Sequence, residues 1–228
     1  MSLVSVIIPT YNRFDELLSC VESVRAQTHE DLEILIIDDH SPDPRYLTLS
    51  HHFAHDPRIS VIRLEINQRI KYDRYAAQGM TRNVGIEAAC GDYLAFLDDD
   101  DSWLPDKLAI QLSIFEKHPD CALVASNVWL VRKGKVTGSL FPITTLAPFR
   151  RVSCHEIKEM NVFPNSSVLV RSIVRESVGL QRLINCEDFD YWIRILEAEG
   201  DGILLEDPLV MYKVDSDKFY EYVYAPRE

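Results

Sequence analysis

The sequence predicts an α/β fold: a single domain on a Rossmann-like, mostly parallel central sheet flanked by helices, with a small antiparallel portion in its second half. Three observations predict it. Short apolar runs rich in β-branched residues recur along the first half. Segments of helical periodicity alternate with them. The runs are also almost uninterrupted in hydrophobicity, the pattern of strands buried on both faces of a parallel sheet.

The elements follow in order. Leu3-Val4-Ser5-Val6-Ile7-Ile8 reads as a first strand, ended by Pro9. Leu17, Leu18, Val21 and Val24 then recur at helical spacing. Ile34-Leu35-Ile36-Ile37 is a second strand running into Asp38-Asp39, and residues 59–64 form a third. Residues 81–89 read as a helix closed by Gly91, and Tyr93-Leu94-Ala95-Phe96-Leu97 as a fourth strand. Leu104-Pro105 opens another helix, with proline near its first turn. The second half is less regular. Residues 122–126 and 128–131 suggest two strands, with Lys133-Gly134-Lys135 as a hairpin turn. Residues 141–149 read as a loop over the sheet edge, 166–170 as a strand, 187–198 as a helix and 209–214 as a last strand. No repeat, low-complexity tract or linker divides the chain, so residues 1–101 read as a nucleotide-binding half and 102–228 as an acceptor half of one domain.

Composition removes several function classes. The 228 residues are 46% hydrophobic and 26% charged, ordinary for a globular domain with a sizeable core. A formal charge of −12 argues against a nucleic-acid partner, which calls for a net basic face. No apolar stretch reaches the length of a membrane span and the N-terminus shows no signal pattern. The five cysteines are scattered, odd in number and never in C-x-x-C spacing, as expected of reduced thiols in a cytoplasmic protein. His51, His52 and His55 are explained by a polar helix face rather than by a metal site.

The polar residues concentrate at strand ends. In open α/β sheets ligands sit beyond the carboxyl ends of the strands, and three such ends here are unusual: Pro9-Thr10-Tyr11-Asn12-Arg13, Asp38-Asp39-His40-Ser41 and the run Asp98-Asp99-Asp100-Asp101. Neighbouring strands would bring all three to one crevice. Four adjacent carboxylates repel, so protons or a cation must compensate them unless they form a solvated acidic turn. Mg²⁺ and Mn²⁺ prefer oxygen ligands and share them with phosphate oxygens, so the cluster reads as a metal–diphosphate site.

This set of motifs resembles the family 2 glycosyltransferases of GT-A fold. Val4-Ser5-Val6-Ile7-Ile8-Pro9-Thr10-Tyr11-Asn12-Arg13 is similar to the family's opening strand and nucleotide-binding loop, and Ile37-Asp38-Asp39-His40-Ser41 to its second strand end. Thr81-Arg82-Asn83-Val84-Gly85-Ile86 followed by the segment 91–101 is similar to its central helix and D-x-D segment, and Cys186-Glu187-Asp188-Phe189-Asp190-Tyr191-Trp192 to its acidic base motif. These segments span positions 4 to 192 in the family's order.

The resemblance implies roles residue by residue. Pro9, Thr10, Tyr11 and Asn12 would line the nucleobase pocket, with Asp39 accepting from the base. Asp98 and Asp100 match the two acids of D-x-D: Asp100 as direct ligand of Mg²⁺ or Mn²⁺, Asp98 toward the ribose or the metal shell, Asp99 in the variable middle position. Arg82 either approaches the diphosphate or forms a salt bridge. Asp188 would be the general base of an inverting transfer, unless Glu187-Asp188 merely begin a helix whose N-terminus favours acids. Glu187 would orient a neighbour. Asn165 and Ser166 fall in the acceptor-side loop, and Trp192 either flanks an acceptor sugar or packs in the core. One departure stands out: Met211-Tyr212-Lys213-Val214 is followed by Asp215, where many members carry a metal-binding histidine, and the chain past it is short.

The implied activity is metal-dependent, inverting transfer from a nucleotide diphosphate sugar, most simply a UDP-sugar, to a saccharide or lipid-linked acceptor in polysaccharide or glycoconjugate synthesis. The rivals are a sugar nucleotidyltransferase and a non-catalytic nucleotide-sugar-binding module. A dinucleotide-dependent oxidoreductase and a P-loop enzyme both fail, since Pro9-Thr10-Tyr11-Asn12 holds no glycine and no G-x-x-x-x-G-K motif exists.

Overall fold

The computed structural model describes residues 2–73, 77–144 and 147–214. Within them run strands β1 (Val4–Thr10), β2 (Leu32–Asp38), β3 (Ile59–Arg63), β4 (Tyr93–Phe96), β5 (Ser102–Trp103), β6 (Leu123–Arg132), β7 (Lys135–Ser139), β8 (Phe149–Val152), β9 (Leu169–Arg171) and β10 (Gly202–Lys213). The helices are α1 (Phe14–Arg25), α2 (Leu49–His52), α3 (Gln68–Tyr72), α4 (Gln78–Ala88), α5 (Lys107–Lys117), α6 (Cys154–Glu159), α7 (Val174–Ser177) and α8 (Glu187–Glu199). One sheet takes in every strand, in the order β3-β2-β1-β4-β9-β6-β10-β5, with β7 beside β6 and β8 beside β10. The first four strands pair in parallel. Direction reverses at β9, which is antiparallel to both β4 and β6. The sheet therefore continues unbroken from the first half of the chain into the second.

Alternation along β1 shows how the core is divided. Val4, Val6 and Ile8 face a cluster that includes Leu17, Val21 and Val24 of α1. Ile7 faces the opposite cluster with Ile86 of α4 and Tyr191, Trp192 and Ile195 of α8. A strand buried on both faces cannot alternate with polar residues, which is why its sequence is continuously apolar.

Several elements differ from the sequence expectation, each for a physical reason. Pro9 does not end β1, because pairing with β4 stops at Ile7 and Pro9 opposes only Ile37 of β2, so no ladder partner misses its N–H. Gly91 does not close α4: the helix ends at Ala88, and a Cβ at Gly91 would lie 2.7 Å from the Ser5 nitrogen and 2.8 Å from the Leu3 carbonyl oxygen. It is glycine so that the chain can cross close against β1. The two strands expected at 122–126 and 128–131 are one strand, Leu123–Arg132, because the Asn127 amide inside it is fully matched, giving to the Phe141 and Glu206 carbonyls and accepting from the Phe141 and Val128 N–H groups. The strand expected at 166–170 begins only at Leu169, since Asn165–Ser167 close a short 3₁₀ turn through bonds to the Pro164 and Asn165 carbonyls. The last strand starts at Gly202, seven residues earlier than the apolar run 209–214 suggested, and passes an irregularity around Pro208. Lys133 and Gly134 turn β6 into β7 as expected, both with positive φ.

Candidate functional site

The three polar strand ends do meet. Their residues line one cleft of about 530 Å³ together with Asn67, Arg69, Gln78, Thr81, Arg82, Tyr212 and Lys213. Pro9, Thr10, Tyr11, Asn12, Asp39, Asp98, Asp99 and Asp100 all stand in its walls.

At one end, β1 and β2 deliver the pocket formed by Tyr11, Asn12 and Asp39. Asn12 takes the left-handed conformation (φ 55°), which asparagine tolerates better than most residues, and its N–H donates to Ser41 Oγ at 2.9 Å. Tyr11 is left 43% exposed at the cleft wall, an unpacked ring available to stack on a planar group. Asp39 is buried, and its carboxylate accepts from the Gln68 N–H at 2.8 Å and from Asn67 Nδ2 at 3.0 Å. Burial pushes its pKa up to about 6 with help from the Asp38 charge, while the Gln68 bond pulls the other way. Asp38 itself turns inward, where Arg63 and the Ser41 N–H satisfy it.

The acidic run is not a solvated turn: each of its carboxylates has a partner. Asp99, in the variable middle position of the motif, is buried and accepts from Thr10 Oγ1 at 2.7 Å and from Arg13 Nη1 at 2.9 Å. Desolvation raises its pKa to about 6 against those two bonds. Arg13 Nη1 also lies 3.0 Å from Asp100 Oδ2. Burial and the Asp98 charge raise the Asp100 pKa, while Arg13 and Lys213 lower it. Asp101 turns into the protein, taking the Ser166 hydroxyl at 2.5 Å and the Lys213 N–H at 2.8 Å, and burial holds its carboxyl well above the usual range.

Asp98 links this end to the other. Its Oδ1 accepts from Arg82 Nη2 at 2.7 Å and Asn165 Nδ2 at 3.0 Å, while its N–H donates to Ser166 Oγ at 3.1 Å. Arg82 is buried and its Nη1 donates to Glu187 Oε1 at 2.9 Å. Desolvation weakens its charged form, but Asp98 and Glu187 outweigh that and raise its pKa. Arg82 is thus a buried bridge, not a surface salt bridge, and its Nε has no partner. Glu187 orients Arg82. Asp188 follows Glu187 in the first turn of α8 and accepts from the Phe189 N–H at 2.8 Å. Burial raises its pKa; Arg82 lowers it and Glu187 raises it again. Asp188 is not among the residues lining the cleft, but its charge acts on Tyr212, which is.

One sequence expectation fails here. Trp192 has no exposed surface and packs edge-on against Phe96, so it belongs to the core and flanks no acceptor. Asp215 lies outside the described residues. Asn67 and Gln68 were not singled out from sequence, and Arg13, Asp101 and Lys213 stood inside quoted segments without a role of their own. The acidic partners of the Arg13 side chain lie 86 and more residues away and leave no local trace.

The donor set is compatible with a hard cation. Asp98 and Asp100 offer carboxylate oxygens only, and among the described residues no group of three or more His, Cys, Asp or Glu side chains is arranged to hold a metal by itself. Mg²⁺ or Mn²⁺ commonly complete such a shell with water and phosphate oxygens, so these residues suit a cation shared with a diphosphate rather than a protein cage. No helix among the described residues is long and apolar enough to cross a membrane.

Comparison with known proteins bears on the family and the fold. An uncharacterized glycosyltransferase of Haemophilus influenzae is 30% identical over 199 residues, covering 86% of this chain and 62% of that protein. The amylovoran biosynthesis glycosyltransferase AmsB of Erwinia amylovora is 27% identical over 219 residues, covering 91% of this chain and 68% of AmsB. Among solved structures, S. aureus TarS superposes with a TM-score of 0.75 at 20% identity over 97% of this chain and 38% of TarS. A shorter TarS, residues 1–349, in complex with UDP-GlcNAc gives 0.72 at 18% identity, over 99% of this chain and 62% of that one. The chain thus spans about two thirds or less of these relatives, and the likeness to TarS establishes a GT-A-type fold. The model of glycosyl transferase family 2 matches residues 5–139, more than half of the sequence, and the chain belongs to that family.

Proposed function

We propose that this chain transfers a sugar from a nucleotide diphosphate sugar, a UDP-sugar in the simplest case, to a saccharide hydroxyl with inversion at the anomeric carbon. The observation that carries the reading is the relay Asp98–Arg82–Glu187, which ties the acidic turn to the first turn of α8. The relay runs from the cleft wall through Arg82 to the first turn of α8, where Asp188 stands beside Glu187; Asp188 itself is not among the residues that line the cleft. TarS has been solved with UDP and with UDP-GlcNAc, and AmsB acts in amylovoran biosynthesis; both favour a nucleotide-sugar donor and a polysaccharide acceptor here.

In this reading Tyr11 stacks on the base and Asp39 accepts its N–H. Asp100, with Asp98 beside it, would hold Mg²⁺ or Mn²⁺. The ion's chemistry is charge compensation on the departing nucleotide. Asp188 takes the proton of the acceptor hydroxyl as its oxygen bonds to the anomeric carbon and the bond from that carbon to the diphosphate oxygen breaks. A carboxylate raised above its ordinary pKa is a better proton acceptor, provided it stays ionised at working pH.

The test is an assay of UDP-sugar turnover with Mn²⁺, in which released UDP marks transfer and released pyrophosphate marks a nucleotidyltransferase. Asp188→Asn is expected to lower turnover by about 10²–10⁴-fold, the usual worth of a general base, while leaving UDP affinity within about twofold. Near-normal turnover in that variant would remove Asp188 from the role. Bound donor with no turnover in the unaltered protein would favour the non-catalytic module.

A further inference from the structure

We infer that Arg13 is a tethered placeholder for the cation of the acidic turn: its guanidinium occupies Asp100 until a divalent ion displaces it, while Asp99 keeps hold of it. The inference rests on the metal reading of Asp100 given above. It adds a residue that sets how tightly the ion is held.

The geometry is asymmetric in a way that suits exchange. One nitrogen, Nη1, serves both acids: Asp99 Oδ1 at 2.9 Å and Asp100 Oδ2 at 3.0 Å. Asp99 is the fixed partner, because its other oxygen is occupied by the Thr10 hydroxyl, which also bonds the Tyr46 hydroxyl at 2.9 Å. The Arg13 N–H donates to that same Tyr46 oxygen at 3.0 Å, so backbone and side chain are anchored to one network. Asp100 has no such second anchor among the described side-chain bonds, and its oxygen is the one the ion would need. The guanidinium is about half exposed, so the pair with Asp100 is weak in water and can open.

Charge supplies the reason for such a residue. Four adjacent carboxylates cannot all remain ionised in a partly closed cleft without compensation. Arg13 provides one positive charge before any ligand arrives. Its displacement then costs the incoming ion affinity, both through competition for Asp100 and through repulsion at short range. Asp99 has a part in this scheme despite its position between the two acids of the motif: it keeps the displaced guanidinium at the edge of the cleft.

The experiment is titration of the protein with Mn²⁺ alone, free ion being read by electron paramagnetic resonance, for the unaltered chain, Arg13→Gln, Arg13→Lys and Asp100→Ala. Arg13→Gln removes both the competitor and the repelling charge, and Mn²⁺ is expected to bind at least about threefold tighter. Arg13→Lys retains the charge without the fork and should fall between the two, which also keeps the test valid if the glutamine variant does not fold. Affinity unchanged or weakened in both Arg13 variants would overturn the placeholder while leaving Asp100-dependent binding, and so the metal reading, intact. Mn²⁺ binding that is absent, or indifferent to Asp100→Ala, would overturn both.

Discussion

Burial and the neighbouring Asp38 raise the Asp39 pKa to about 6, and in its proposed role this would give base recognition a pH dependence of definite sign. The ionised carboxylate is the better acceptor for a base N–H, so uridine affinity is expected to fall as pH drops through about 6. Uridine itself does not titrate there, which isolates the protein's contribution in a calorimetric titration between pH 4.5 and 8. The effect on the unliganded fold runs the other way. A carboxyl whose folded pKa is raised binds its proton more tightly when folded, so its contribution to stability is greatest at low pH and declines as pH rises from about 4 to about 6. Uridine affinity that is flat across pH 6 would sink the assignment of Asp39. The candidacy of Asp39 was readable from its place after an apolar strand. Its partners Asn67 and Gln68 were not, being 28 and 29 residues away and brought to it only by how the chain after β3 places the start of α3. The same holds for Arg82, whose neighbours Asp98 and Glu187 lie on two other elements.

At the scale of the element, α4 shows which parts of the fold local pattern can reveal. Its apolar spacing was legible, but the reason for a glycine in its middle was not. A Cβ at Gly85 would stand 2.5 Å from Ile7 Cγ2 and 3.2 Å from Cγ1, so the helix lies directly on β1 with no room between. Ile7 is wholly buried between β2 and β4 and has nowhere to move. Gly85→Ala is therefore expected to destabilise the protein by about 1–3 kcal/mol despite alanine's higher helix propensity, read as a lowered denaturant midpoint. An unchanged or raised midpoint would show that α4 can lift off the sheet at no cost. Because α4 also carries Thr81 and Arg82 into the cleft, such a lift would shift Arg82 relative to Asp98. The elements least legible in sequence are those whose ends are fixed by tertiary partners: β10, extended at its start by pairing with β8, and the 165–167 turn, which supplies Asn165 and Ser166 to Asp98. Val168 and Val170 just beyond that turn announce a strand, and the bonds of Asn165 and Ser166 to the acidic turn delay its start.

Across the whole molecule, ligand and fold are linked because the cleft is closed by residues from both halves of the chain: β1, β2 and the acidic turn from one, the end of β10 from the other. Asp101 fastens these together through the Lys213 N–H and Ser166. A nucleotide diphosphate that spans Asp39 and Asp100 would bind only when the sheet is intact from β2 to β10, so its binding energy adds to the stability of the entire sheet. At a concentration about 100-fold above its dissociation constant a ligand adds about 2.7 kcal/mol. For a chain of this size that corresponds to a rise in melting temperature of about 5–10 °C. UDP with Mn²⁺ should produce a shift of that size as a single cooperative transition, and a chelator or Asp100→Ala should remove most of it, because the diphosphate then faces the acidic run without a divalent ion to offset the repulsion. Two separated transitions, with only one moved by UDP, would mean that the halves melt independently and that the cleft does not couple them. A full shift in the presence of chelator would instead assign diphosphate binding to the cationic side chains of the cleft, Arg13, Arg69, Arg82 and Lys213 among them, and leave Asp100 without a metal to hold.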